Sequence, residues 1–155
     1  MDINDLAPDF TTVDDNGAPV RLSDFRGQNV VLFFYPKANT PGCTIEACGF
    51  RDSYAKLHKA GLTVLGISAD TAAAQKKFKE KFGFQYTLLA DADKKIADLY
   101  GVLKDKNMYG KKVKGIVRST FLIAPDGKIA HIFPKVTPEG HADEVLAAFK
   151  ALGKK

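Results

Sequence analysis

The sequence predicts an α/β protein, and three observations predict it. Two apolar runs, residues 30–35 and 63–68, have the continuity of strands buried on both faces. Each is followed by a segment of helical periodicity that closes on a glycine. A later pair of runs, residues 117–123 and 128–133, flanks the turn Ala124-Pro125-Asp126-Gly127 and leads into a last amphipathic helix.

The elements follow in order. Residues 9–22 read as two short strands around the turn Asp14-Asp15-Asn16-Gly17. The segment 23–27 looks like a single helical turn closed by Gly27. Pro36 ends the strand 30–35, and a helix is expected from about Pro41 to Ala60, with Gly61 just past its end. A second helix, Ala72–Phe82, carries Ala74, Phe78 and Phe82 on one stripe and stops at Gly83. Residues 86–89 suit a short strand and 94–100 a short helix. The polar stretch 103–115 reads as a loop. The closing helix His141–Leu152 turns Ala142, Val145, Phe149 and Leu152 inward. A βαβ half joined to a ββα half describes a thioredoxin-like sheet with an N-terminal strand extension and an inserted strand–helix unit. Such a topology says little about function.

At 155 residues the chain is expected to be one domain, 1–155, with enough apolar residues (45%) to form a core without disulfide staples. Two cysteines in a chain this long point to redox or catalytic use rather than a disulfide framework. The acidic start Met1-Asp2-Ile3-Asn4-Asp5 has no apolar core of a secretory signal, and no run is long enough for a membrane span. A cytoplasmic location is expected, away from any membrane. The net charge of +5 is dispersed apart from a concentration between Lys104 and Lys114. It accompanies no nucleic-acid-binding motif and is read as a solvated surface.

The chemistry concentrates in Tyr35-Pro36-Lys37-Ala38-Asn39-Thr40-Pro41-Gly42-Cys43-Thr44-Ile45-Glu46-Ala47-Cys48. Thr40 suits an N-cap, and Pro41 suits the first helical position, where its missing N–H costs nothing. Cys43 then falls in the first turn, among unpaired N–H groups and the positive end of the helix dipole. Cys43, Ala47, Phe50, Tyr54 and Leu57 form one inward stripe. This places Cys43 at the edge of the sheet where ligands bind in open α/β folds. Lowering a thiol pKa from about 8.5 to about 6 raises the thiolate fraction near neutrality only about 30-fold. Efficient chemistry at such a thiolate therefore also needs donors for a departing oxyanion. The candidates are the Thr40 hydroxyl, the Cys43 N–H and Arg118, a charge entering the apolar strand 117–123. Taken singly, Cys43 also fits an inert buried thiol, Thr40 a plain cap, Arg118 a strand-end ion pair, and Pro36 a strand terminator.

Together these residues resemble a known family. Pro36, Thr40 and Cys43 in Pro-x-x-x-Thr-x-x-Cys match the peroxiredoxin signature. The string Thr-Pro-Gly-Cys-Thr-x-Glu-Ala-Cys resembles the Q-type, or bacterioferritin-comigratory, branch. The segments Asp91-Ala92-Asp93, Met108-Tyr109-Gly110-Lys111 and Gly115-Ile116-Val117-Arg118-Ser119-Thr120-Phe121-Leu122-Ile123 agree, so the likeness spans residues 7–152. The resemblance implies a thiol peroxidase acting on hydrogen peroxide and organic hydroperoxides. It makes Cys43 the peroxidatic cysteine, with Thr40 and Arg118 completing its site and Pro36 shielding it. Cys48 matches the resolving cysteine of one subgroup, giving an intramolecular disulfide reduced by thioredoxin or a similar dithiol. It implies no cofactor and no metal. On an intact helix, residues five apart lie about 8.6 Å apart and about 140° around the axis. A disulfide needs Cα atoms closer than roughly 7 Å, so the start of the helix is expected to unwind before Cys48 reaches Cys43. The sequence has no long extension after Leu152 of the kind exchanged between subunits, and a monomer is expected.

Three rival readings fit the sequence less well. A thioredoxin-like disulfide oxidoreductase would carry Cys-x-x-Cys rather than the present Cys-x-x-x-x-Cys. A metal-binding module would need Cys43, Cys48 and some of His58, His131 and His141, which lack ligand spacing. A binding protein would use the basic stretch 104–114. His58 reads as a surface residue near a helix C-terminus.

Overall fold

The structure is a computed structural model that describes residues 1–108 and 110–152, the side chains of 106–108 and 111–113 excepted. Two short strands, β1 (Thr11–Val13) and β2 (Pro19–Arg21), pair antiparallel across the predicted turn. The Asp14 carboxylate accepts the N–H groups of Asn16 and Ala18 there, each at 2.9 Å. A 3₁₀ turn, Leu22–Phe25, leads into β3 (Asn29–Phe34).

β3 is the centre of a five-stranded sheet. It runs parallel to β4 (Leu62–Ser68), which runs parallel to β5 (Thr87–Ala90). On its other side β3 is antiparallel to β8 (Ser119–Ile123), and β8 to β9 (Ile129–Phe133), so the order is β5-β4-β3-β8-β9. Alternation along β3 divides the core. Leu32 and Phe34 face Phe10, Ile96, Tyr100 and Phe121. Val31, Phe33 and Tyr35 face the helices α1 (Pro41–Asp52), α2 (Tyr54–Lys59), α3 (Ala72–Phe82) and α5 (His141–Leu152). α4 (Lys95–Leu99) follows β5 and contributes Ile96 to the opposite layer. The thioredoxin-like core, the N-terminal strand pair and the inserted β5–α4 unit are those expected from the sequence.

Leu152, expected to face inward, is exposed at the end of α5, and two expectations about the elements themselves require correction. The helix expected from 41 to 60 is two helices that meet at Ser53, whose ψ of 3° leaves the helical region. Gly49 and Ser53 are poor helix formers, and the two parts pack on different partners, α1 on α5 and α2 on β4. Cys43, Ala47, Phe50 and Leu57 are buried as expected, while Tyr54 is half-buried and stacks on His58. The stretch read as a loop is a hairpin, β6 (Leu103–Met108) with β7 (Lys111–Ile116), standing apart from the main sheet. Leu103 and Ile116 pack into the core where this ribbon leaves the sheet. The residues between them are mostly polar, so they show no apolar alternation in the sequence. Tyr109, part of the segment Met108-Tyr109-Gly110-Lys111, lies outside the described residues.

One glycine decides how α1 sits. A Cβ on Gly66 of β4 would stand 2.7 Å from Phe33 Cζ and 2.8 Å from Leu88 Cδ2. With no side chain there, the Phe33 ring lies across the strand and stacks on Phe50 of α1, with ring centroids 4.4 Å apart. The helix that carries Cys43 is thereby seated on the sheet.

Candidate active site

The chain leaves β3 through buried Tyr35, whose hydroxyl donates to Gln75 Oε1 of α3 at 2.6 Å. Gln75 in turn donates to the Leu89 carbonyl at 2.8 Å. Half-buried Pro36 follows directly and opens the loop. The Asp70 carboxylate receives the Ala38 N–H (2.8 Å) and the Ser68 hydroxyl (2.6 Å), fastening the loop to the end of β4. Asn39 has a φ of 61°, a region asparagine tolerates better than most residues, and accepts from Lys81 Nζ at 3.2 Å. The segment before the helix is therefore tied to both β4 and α3.

Thr40 has the extended backbone of an N-cap (φ −94°, ψ 157°), and its carbonyl accepts the Thr44 N–H at 2.9 Å. Its hydroxyl does not cap, contrary to the sequence expectation. It donates backward to the Lys37 carbonyl at 2.8 Å. Pro41 at the first position supplies no N–H, so the first-turn donors that a side-chain cap would satisfy begin further in.

Cys43 is 1% exposed. Arg118 reaches it from just ahead of β8, with Nη2 3.5 Å from Sγ. The arginine is anchored through its own backbone, since its carbonyl accepts the Val136 N–H at 2.9 Å. A Cβ on Gly42 would lie 3.1 Å from Arg118 Nη2 and 3.6 Å from Pro138 Cγ, so the glycine admits the guanidinium to the helix start. The other arm of the guanidinium, Nη1, donates to Glu46 Oε1 at 2.8 Å. Burial works against the Arg118 cation, but the acid and the sulfur outweigh it and hold its pKa above the ordinary value.

Glu46 belongs to the motif, but its residue type read alone in the sequence assigns it no role. Its position three residues after Cys43 places both on one helical face, which is the signal that could have found it. It is completely buried, and burial pushes its carboxyl up to about 7 against the pull of Arg118. Tyr86 was likewise missed. Its hydroxyl donates to the Ala47 carbonyl at 2.6 Å, gripping the middle of α1.

Cys48 is half-buried on the same helix, and both cysteines are free thiols. Burial holds the Cys48 thiol above its ordinary pKa, opposed by Arg51. Arg51 also donates to the Phe82 carbonyl at 2.9 Å, so α1 beyond Cys48 is tied to the end of α3. His141, at the start of α5, is buried between Thr120 Oγ1 (2.8 Å from Nε2) and Glu144 Oε1 (2.7 Å from Nδ1). His58 is exposed in the last turn of α2, as expected, and His131 lies edge-on to Phe133. Among the described residues, no group of three or more His, Cys, Asp or Glu is placed to hold a metal ion.

The structure thus brings Cys43 and Arg118 together at the head of α1, with Pro36 and Thr40 in the loop leading to it and Cys48 one and a half turns beyond. A buried sulfur beside a guanidinium, at a helix start, is suited to nucleophilic attack as a thiolate.

Known proteins are similar to this chain in sequence and fold. Residues 3–132 match the model of the AhpC/TSA family. A protein of Coxiella burnetii named as a putative peroxiredoxin, Bcp, is 49% identical over 146 residues, covering 94% of this chain and 97% of its own. Peroxiredoxin Bcp of Escherichia coli is 47% identical, covering 92% and 91%. Among solved structures, a mutant of Xylella fastidiosa PrxQ superposes with a TM-score of 0.93 at 36% identity, covering 99% and 98%. The Xanthomonas campestris bacterioferritin comigratory protein, whose structures address alkyl peroxide reduction, has a TM-score of 0.89 at 41% identity, covering 94% and 92%. With likeness over nearly its whole length, the chain belongs to the AhpC/TSA family and is a peroxiredoxin of the Q, or bacterioferritin-comigratory, branch.

Proposed function

We propose that Cys43 is the sulfur with which this thiol peroxidase reduces hydroperoxides. The observation that carries the assignment is the placement of Arg118 Nη2 3.5 Å from the buried Sγ at the start of α1. The Cys43 thiolate attacks the terminal oxygen of the peroxide. An S–O bond forms, the O–O bond breaks, and its electron pair leaves on the second oxygen, which takes up a proton and departs as water or an alcohol. Arg118 and the N–H groups of the first turn are the donors for the oxygens, and Pro36 shields the sulfur. The Thr40 hydroxyl, whose own proton goes to the Lys37 carbonyl, accepts from the O–H of the hydroperoxide.

Cys48 then attacks the sulfenic sulfur, expelling water and closing a disulfide. Residues five apart on an intact helix are about 8.6 Å apart, so the start of α1 unwinds first. A dithiol of the thioredoxin kind restores both thiols by exchange. Because both sulfurs belong to one chain, the cycle asks for no second copy. We take the protein to act as a monomer, in the cytoplasm, with 1–155 as one thioredoxin-like domain. Among the described residues no helix is long and apolar enough to cross a membrane. Hydrogen peroxide and organic hydroperoxides are the substrates, in keeping with the alkyl peroxide reduction studied in the Xanthomonas campestris relative.

Single-turnover reaction with peroxide, read by intact mass, tests the assignment. Wild type should lose two hydrogens, Cys48→Ser should gain oxygen on Cys43, and Cys43→Ser should be unchanged. Oxidation of Cys43→Ser at the wild-type rate would overturn it.

A further inference from the structure

The buried site offers one cation to two acids. Arg118 donates through Nη2 to Cys43 Sγ and through Nη1 to Glu46 Oε1, at 3.5 and 2.8 Å. Glu46 Oε2 is fully buried and has no hydrogen-bond partner among the described residues. A thiolate and a carboxylate together would leave one negative charge in excess, with a bare carboxylate oxygen out of water, which is costly. The other titratable neighbours do not supply a second cation. Tyr86 faces Glu46 from ahead of β5 and is a phenol whose own ionisation burial opposes. His141 of α5 faces Arg118, and burial favours its neutral form.

We infer that Glu46 is a positioning residue that holds a proton whenever Cys43 is a thiolate and releases it when the sulfur becomes neutral, so that the Cys43–Arg118–Glu46 group carries no net charge through the peroxide step. This rests on Cys43 being the reacting sulfur. Before reaction the site is thiolate, guanidinium and carboxylic acid. Attack forms the S–O bond and breaks O–O, and the departing oxide gains a proton while Glu46 loses one, exchanged through solvent. Sulfenic acid, guanidinium and carboxylate remain, again neutral in sum. The carboxylate then pairs fully with Arg118, which the sulfur no longer claims. The raised pKa of Glu46, about 7, agrees with an acid kept ready to hold that proton.

The test is infrared difference spectroscopy of the full chain in the Cys48→Ser background, before and after one equivalent of peroxide and, separately, iodoacetamide. Both reactions convert the Cys43 thiolate to a neutral sulfur. Each should remove the carbonyl stretch of a protonated carboxylic acid and add carboxylate bands, and Glu46→Gln should abolish the change. Alkylation measured against pH gives a second readout. Glu46→Gln removes the competitor for Arg118 and should move the midpoint of Cys43 alkylation to lower pH. If Glu46 merely props the arginine, the midpoint rises instead. Absence of the carboxylic-acid loss in the Cys48→Ser protein, where intact mass shows Cys43 modified, overturns the inference. Failure of peroxide to modify Cys43, while iodoacetamide does so with the carboxyl change, overturns the peroxidatic assignment alone. The Cys48→Ser spectrum decides the matter even where Glu46→Gln does not fold.

Discussion

Replacing Glu46 by Gln should change how stability depends on pH, and the sign follows from burial. The carboxyl has a pKa of about 7 in the folded protein against an ordinary 4.5. Between those values the folded state keeps a proton that the unfolded chain has released. Stability from this group is therefore fully present below pH 4.5 and is lost as pH rises through 7. The slope is about 1.4 kcal/mol per pH unit across the window, about 3 kcal/mol in all. Solvent does not screen this carboxyl, because the Glu46 side chain is 0% exposed. His141 acts in the opposite sense. Burial holds its imidazole low, so the unfolded chain takes up a proton the folded state refuses, and that contribution is lost as pH falls. The comparison of Glu46→Gln with wild type cancels His141, which both share. Reversible urea unfolding of the reduced proteins, followed by far-ultraviolet circular dichroism because the chain has no tryptophan, should give a stability difference that shifts in favour of Glu46→Gln by about 3 kcal/mol between pH 4.5 and 8. A difference that stays constant over that range would refute the claim that burial holds the acid protonated.

Oxidation to the Cys43–Cys48 disulfide should reduce helical ellipticity, since the first turns of α1 must unwind. A disulfide shown by mass with helicity unchanged would contradict this. Arg118→Met should slow the reaction of Cys43 with peroxide by about 10²-fold or more, the usual cost of losing an oxyanion donor, while leaving the subsequent disulfide closure fast in stopped single-turnover samples. Gly42→Ala should slow the peroxide step by roughly tenfold through displacement of the guanidinium. It should not lower urea stability, because alanine favours the helix; a fall in both would point to general damage instead.

Much of the site was legible because helix-start chemistry is local. Thr40, Pro41 and Cys43 occupy the cap and first turn that their types suggest, and the inward stripe from Cys43 to Phe50 follows from a period of 3.6. The direction of the Thr40 hydroxyl was not legible. A threonine at this position can satisfy the helix or the preceding carbonyl, and the turn made by Asn39 at positive φ accompanies the choice of Lys37. Ser53 interrupts a helix whose periodicity continues across it, because the break reflects two packing partners rather than a strong local stop signal. The hairpin 103–116 escaped notice for the converse reason, since a ribbon with few apolar residues between its ends carries little periodic signal.

By itself the sequence determined the strand and helix order apart from the hairpin 103–116 and the break at Ser53, the placement of Cys43 in a first helical turn and the membership of a peroxidase family, since each resides in short contiguous motifs or their spacing. Only the tertiary structure decided that Arg118, 75 residues away along the chain, divides its guanidinium between Cys43 and Glu46. That arrangement depends on β8 lying beside β3, on Gly66 letting Phe33 seat α1, and on Gly42 leaving room for the guanidinium. Charge sharing in a buried site is set by distance and exclusion of water, and neither is written in residue order.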